Sequence, residues 1–215
     1  YLHSYPPRRS SDLKMWGLNR LSRLTPPDPI RRYERDAPGD LLHLDIKKLG
    51  RFNKTGHRIT GHHRRKRSKG LGYDYVHVAI DDHSRVAYVE VLPDERGYTC
   101  TMFLVRATRW FASKGVTIKR VMTDNGVGYR SNIFAATVRQ IGARHIRTRP
   151  YSPQTNGKAE RFIKTLQEEW AYGVPYKTSE QRNAALPRWL DIYNGQRPHG
   201  GINFKTPISR LNHNT

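Results

Sequence analysis

Three carboxylates stand out in a chain that is otherwise strongly basic: Asp45, Asp124 and Glu160. Asp45 lies inside the apolar run Leu41-Leu42-His43-Leu44-Asp45-Ile46. Asp124 follows Val121-Met122-Thr123 and precedes Asn125-Gly126. Glu160 opens a helical stretch after a loop containing Pro and Gly. Taken singly, each has an ordinary explanation. A strand Asp can be a hydrogen-bonded buried group, Asp-Asn-Gly favours turns, and an acid in the first turn of a helix suits the dipole. Taken together, they are the donor set that phosphodiester chemistry requires. Hard oxygen ligands bind Mg²⁺ or Mn²⁺. Two such ions, about 3.5–4 Å apart, activate an attacking oxygen and stabilise a leaving one.

These side chains need a scaffold, and the hydrophobic pattern outlines one. Residues 41–46 read as a buried strand. Residues 73–80 (YDYVHVAI) and 85–92 (RVAYVEVL) read as two strands of a hairpin around Asp81-Asp82-His83-Ser84. Apolar residues at 103, 104, 107, 110 and 111 carry a helical spacing over 99–114, which Gly115 ends. A short strand at 119–123 leads into Asp124. A helix over 132–141, closed by Gly142, and a strand at 143–148 follow. A helix at 158–172 carries Glu160, and a last helix over 179–194 is expected to break near Pro187. The order predicts a mixed five-stranded α/β sheet with helices packed on it. Trp110, Phe111 and Phe162 are assigned to the core.

The charge is unevenly placed. Of the 39 Lys and Arg against 18 Asp and Glu (net +21), residues 45–70 hold 10 basic and 1 acidic side chain. That segment contains Arg64, Arg65, Lys66, Arg67 and Lys69, is punctuated by glycines, and lacks apolar periodicity. It reads as a loop that contacts phosphates; a plain solvated loop is the alternative. Residues 1–36 are Pro- and Arg-rich and read as an arm. Residues 37–212 form the core, with the basic loop inserted at about 50–72. The single cysteine, Cys100, excludes an internal disulfide framework and a multi-Cys zinc site and suits a reducing, cytoplasmic setting. No run of apolar residues is long enough for a membrane span. A polyanion, most often nucleic acid, is the expected partner.

Around the carboxylates, Lys164 and Gln167 follow Glu160 at i+4 and i+7 on one helix face. Lys164 is a candidate phosphate contact, or else a surface partner of Glu160 or Glu168. The preceding loop offers Gln154 and Asn156, with Lys158 just after it, as further DNA contacts. His43 shares a strand face with Asp45, as a hydrogen-bonding support or a packed residue. Asp81-Asp82 reads as a turn rather than a ligand pair, and Tyr193, Asn194, Arg197 and His199 as structural.

The stretches LLHLDIKKL, VAIDDHSRVAYVEVL, VMTDNGVGY, RTRPYSPQTNGKAERFIKTLQEEW and YNGQRPHGGINFKTP resemble the integrase-type catalytic core of bacterial insertion-sequence transposases. In that group two Asp and one Glu occur in order, with 35 residues between the second Asp and the Glu, as between Asp124 and Glu160 here. The resemblance covers roughly residues 33–211. It implies a ribonuclease H-like fold, two Mg²⁺ or Mn²⁺ ions and DNA as substrate. Asp45 would bridge both ions, with Asp124 and Glu160 each holding one. It implies 3′-end cleavage by water followed by strand transfer, carried out by a homo-oligomer on DNA. The helix-turn-helix region that usually precedes this core is not evident in residues 1–30, so a non-catalytic, nucleic-acid-binding remnant is the competing expectation.

Overall fold

In the computed structural model, which describes residues 14–16, 34–54, 70–148 and 156–211, five strands form one sheet. The chain divides into two units, Tyr1–Tyr33 and Glu34–Thr215, and every element below belongs to the second. The strands are β1 (Leu42–Gly50), β2 (Tyr73–Asp81), β3 (Ala87–Leu92), β4 (Arg120–Thr123) and β5 (Arg144–Arg147). Their order is β3-β2-β1-β4-β5. β1, β2 and β3 pair antiparallel, while β4 joins β1 and β5 joins β4 in parallel. This is the mixed sheet of the ribonuclease H-like fold.

β1 is longer than its apolar run. Its full length pairs with β2, from Leu42 opposite Asp81 to Gly50 opposite Tyr73. The strand therefore carries Lys47 and Lys48 and ends at Gly50, where the sequence pattern had already faded into charge. Ladder hydrogen bonds along β2 outweigh the weak strand preference of lysine.

Among the described residues there are five α-helices: α1 (Gly97–Ala112), α2 (Asn132–Gln140), α3 (Gly157–Leu166), α4 (Ser179–Ala184) and α5 (Leu186–Gly195). α1 and α2 enter one core, where Phe103, Leu104, Phe111 and Phe134 meet Leu42, Leu44 and Ala79. α3 and α5 enter the other, where Phe162, Leu166 and Tyr193 meet Val76, Val78 and Ile80. The alternation of side chains along β1 and β2 splits these sets between the two faces. Phe111 and Phe162 are core residues, and the half-buried Trp110 packs against the first cluster. Gly115 and Gly142 follow α1 and α2 with φ of +77° and +75°, the left-handed conformation that stops a helix at little cost in glycine.

Two details refine the helical reading. α3 does not continue as an α-helix to residue 172 but widens into a π-turn over Gln167–Ala171, which buries Trp170 and Ala171 together. The break near Pro187 falls at Ala185, with Pro187 in the first turn of α5, where its missing N–H costs nothing. Among the described residues no helix is long and apolar enough to cross a membrane.

A buried ion pair anchors α4 to the far end of the β1–β2 ribbon. Asp74 accepts from Arg182 Nη2 at 2.7 Å, Arg51 Nε at 2.7 Å and Asn183 Nδ2 at 3.0 Å. Burial alone would raise its pKa, but these donors hold the carboxyl below its usual range. The Arg182 side chain is 1% exposed, stacks near Phe52 and Trp170, and its carbonyl accepts from Trp170 Nε1. Removing one partner of such a pair strands the other charge. Asp74→Ala is therefore expected to lower stability to urea by about 3–5 kcal/mol. Arg51→Ala, at the exposed side of the same carboxylate, is expected to cost less than about 1 kcal/mol.

Candidate active site

The sheet brings Asp45 and Asp124 together by register. β1 and β4 pair in parallel with Leu42 opposite Val121 and His43 opposite Met122. Asp124 directly follows β4 and Asp45 lies two residues beyond His43 on β1, so both lie just past the paired stretch of the two strands. Each carboxylate spends one oxygen on a nearby backbone N–H: Asp45 Oδ1 accepts from Ile46 N at 2.7 Å, and Asp124 Oδ1 from Gly126 N at 2.8 Å. Asp45 and Asp124 line one cleft with Glu95, Gly126, Val127 and Tyr129. Glu160 lies in the first turn of α3. Its neighbours Ala159, Phe162, Ile163 and Leu166 form the stripe buried against the sheet, and Glu160 itself is exposed beside that stripe.

The charges of Asp124 and Glu160 both act on Asp45. Burial, and then the like charges of Asp124 and Glu160, push the Asp45 carboxyl up to about 6. Among the described residues, no group of three or more His, Cys, Asp or Glu side chains is gathered as a ready metal cage. Asp45, Asp124 and Glu160 are nonetheless hard oxygen donors of the kind that Mg²⁺ takes. Magnesium usually takes only one or two protein carboxylates and fills its shell with water and phosphate oxygens. An Asp whose ionisation is opposed by two neighbouring acids is a group that bound cations would relieve.

The loop after Asp124 is held by close packing. At Gly128 a Cβ would overlap the Glu95 carbonyl and lie 2.5 Å from Cys100 Sγ. Cys100, whose thiol is pushed up to about 12 by burial and nearby acids, donates to that same carbonyl at 3.4 Å. It is a packing residue, not a nucleophile.

A second polar cluster ties the helix of Glu160 to the strand of Asp45. Asn156 occupies the N-cap position of α3, yet its side chain does not cap the helix. Its Nδ2 donates to Leu44 O at 3.2 Å, and its Oδ1 meets His43 Nδ1 at 3.0 Å. His43 Nε2 meets Asp82 Oδ1 at 2.8 Å, and Lys158 Nζ donates to the same oxygen. Asp82 Oδ2 accepts from Arg35 N at 2.7 Å. His43 and Asp82 are fully buried and Asn156 nearly so. Burial would raise the Asp82 pKa; the bonds from His43, Lys158 and Arg35 N reverse this and hold it well below the carboxylate range.

The clamp reassigns several sequence candidates. Asn156 and Lys158, expected to meet DNA, are turned into the protein because Asp82 and the Leu44 carbonyl need their donors. His43 supports α3 rather than Asp45 directly. Asp81 makes the hairpin turn, accepting from Ser84 N and Oγ at 2.7 Å each, while Asp82 belongs to the clamp. Nothing in the local sequence distinguished Asp82 from a turn residue. The one available signal was that it stood with His43 and Lys158 as a polar residue flanking apolar strands. Lys164 is exposed and lies 3.8 Å from Glu168, a loose pair that leaves its ammonium open to solvent. Gln154, Arg64, Arg65, Lys66, Arg67 and Lys69 lie outside the described residues.

Two outcomes follow from this geometry. A pKa raised by folding favours the folded state below the ordinary Asp value, and that contribution is lost as pH rises through about 6. In metal-free buffer near neutral pH, Asp45→Asn is expected to be more stable than wild type by about 1–3 kcal/mol, an advantage that disappears towards pH 4; calorimetry at the two pH values checks it. Asp82 has the opposite sign: its depressed pKa contributes stability above the unfolded value, and the contribution fades as pH falls. Asp82→Ala is expected to cost about 3–5 kcal/mol at neutral pH and progressively less in acid, read by the same measurement.

A family model described as "Integrase core domain" matches residues 35–153, more than half of the chain, and a second of the same description matches 141–207. The transposase for insertion sequence element IS904 of Lactococcus lactis subsp. lactis (strain IL1403) is 32% identical over 88 residues, 40% of this chain and 35% of that protein. The chain spans less than half the length of the curated relatives it matches. Among solved structures, the simian T-cell lymphotropic virus intasome in complex with a PP2A regulatory subunit aligns with a TM-score of 0.64 at 21% identity, over 88% of this chain and 61% of that one. The HTLV-2 integrase catalytic core domain in complex with magnesium aligns with a TM-score of 0.57 at 16% identity, over 81% of this chain and 97% of that one. With the Asp45, Asp124 and Glu160 constellation on this sheet, these matches settle the lineage: the chain belongs to the integrase core domain family.

Proposed function

We propose that this chain is the catalytic core of an insertion-sequence transposase, a polynucleotidyl transferase that cuts DNA at a 3′ end and joins that end to a target. The observation that carries the reading is that Asp45 and Asp124 line one cleft, with burial first and then the charges of Asp124 and Glu160 raising the Asp45 pKa. A protein of net charge +21 that gathers three acids at one point is suited to hold cations against a polyanion. The transposase relative and the integrase neighbours support the substrate class.

In this reading Asp45, Asp124 and Glu160 would hold the Mg²⁺ or Mn²⁺ ions. When bound, the ions activate the attacking oxygen and stabilise the leaving one. The chain's own residues do the rest. β1 and β4 fix the two Asp side chains, the Asn156–His43–Asp82–Lys158 clamp fixes the start of α3, and Lys164, one turn beyond Glu160, meets a phosphate. The basic segment around Arg64, Arg65, Lys66, Arg67 and Lys69, with Gln154, supplies further backbone contacts. The simian virus neighbour was solved as an intasome, which supports a homo-oligomer on DNA. Action on nucleoid DNA in the bacterial cytoplasm completes the proposal.

The deciding experiment is strand transfer with pre-cut transposon-end DNA and Mn²⁺. Wild type is expected to join the 3′-hydroxyl to target. Asp124→Asn is expected to lose joining by at least about a thousandfold while retaining salt-sensitive DNA binding. Equal activity of wild type and Asp45→Ala would overturn the assignment of the three carboxylates. Binding without any metal-dependent cutting would favour a non-catalytic remnant.

A further inference from the structure

Beyond α5 the chain makes a tight turn with an unusual backbone. Asn203 and Phe204 are consecutive, and both have positive φ, +57° and +58°. Lys205 N donates to Ile202 O at 3.2 Å, which closes a four-residue turn over 202–205 with both central residues left-handed. A turn of this kind favours Asn followed by Gly. Asn is at ease in that conformation, but phenylalanine stands where glycine is preferred, and its bulk makes the position strained.

His199 holds this turn from three sides. Its carbonyl accepts from Ile202 N at 3.0 Å and from Phe204 N at 3.1 Å, and its N–H donates to Lys205 O at 3.1 Å. Its ring Nδ1 accepts from Gly201 N at 3.2 Å, and the ring stands edge-on to the buried Tyr193. Ile202, the first residue of the turn, is itself buried. Strained positions persist where their surroundings over-determine them in this way, and they gather at sites that bind or react.

The strain does not serve packing, because Phe204 is 77% exposed. Its neighbours Gly200, Gly201, Asn203 and Lys205 are exposed as well. Asn203 and Lys205 border a depression of about 370 Å³ whose other charged residues are His83, Arg210 and Glu34. Glu34 is already taken, accepting from Arg85 at 2.9 Å and Arg210 at 2.6 Å, so it does not neutralise Lys205. A protein-binding knob would be expected within an apolar surround from which Lys is depleted. Here the surround is glycine, amide and ammonium. An exposed aromatic face beside a cation is the combination that binds unpaired nucleic acid.

We propose that Phe204 is a stacking platform for an unpaired DNA nucleobase, with Lys205 on a neighbouring phosphate. Every base has a π-face, so the contact tolerates any sequence but requires a base outside the double helix. His199, which builds the turn, lines one small cavity with Gly157, Lys158 and Arg161, so the turn is founded against the start of the helix that carries Glu160. Such a platform rests on DNA as the substrate class and on none of the three carboxylates.

The test uses the full 215-residue chain in metal-free buffer, so that binding is read without cutting. Affinity is measured for a fully paired duplex and for the same duplex with a single-stranded flank. Phe204→Ala and Phe204→Leu are expected to lose at least about fivefold on the flanked DNA and nothing on the paired one, while Phe204→Tyr keeps wild-type affinity. Lys205→Ala is expected to lower the salt slope on the flanked DNA by about one. Phe204→Gly separates binding from folding. Freed of the left-handed strain, it is expected to show a Tm at or above that of wild type and to bind like Phe204→Ala. Equal affinity of wild type and Phe204→Ala for the flanked DNA, or a lower Tm in Phe204→Gly, would overturn the platform and leave the DNA reading standing. A wild type that binds neither DNA overturns the substrate class itself. Self-association lost in Phe204→Ala with DNA binding unchanged would overturn the platform and assign the ring to a second copy of the chain.

Discussion

Like charges brought together repel, and that repulsion is the constraint around which this molecule is arranged. Asp45, Asp124 and Glu160 come from three elements, and the sequence between them exceeds a hundred residues. Burial first, and then the charges of Asp124 and Glu160, raise the Asp45 pKa. Holding such a group in place takes rigid neighbours on both faces of the sheet, and the two hydrophobic cores provide them. Parallel pairing of β4 with β1 leads both Asp residues toward one cleft, which they line together.

The third carboxylate is positioned differently. Nothing in strand pairing decides where α3 lies along the sheet; the apolar stripe of Ala159, Phe162, Ile163 and Leu166 can only press it down. The buried clamp settles the remaining freedom. Asn156 reads a backbone carbonyl of β1 and the ring of His43, while Asp82 gathers His43 and Lys158. A polar cluster that is fully satisfied resists sliding, because every displacement leaves a buried group unpaired. Directional bonds thus complete what non-directional burial leaves undetermined.

Much of the fold was legible in the sequence because period and punctuation agreed. The helical spacing at residues 103–111, the hairpin at 81–84, the glycines at 115 and 142 and the break near Pro187 all reappear within a few residues. The misreadings have a common cause. β1 runs through Lys47 and Lys48, and α3 widens at Gln167, because partners far away in sequence reward those conformations. Asn156 and Lys158 looked like contacts for DNA since short polar and basic residues beside a reactive acid serve that role in many sites. Here two other buried groups claimed them.

By itself, the sequence determined the type of sheet, the three acids and their order, and the positive charge that surrounds them, since all of these depend on composition and short-range spacing. Only the tertiary structure decided which polar residues serve the site from beneath. Asp82 and His43 are 39 positions apart, and Asn156 lies 113 positions from His43. Short-range spacing carries no information about such pairs. Their roles follow from who meets whom once the helix is laid on the sheet and water has been excluded, because only then must every buried donor and acceptor find a partner.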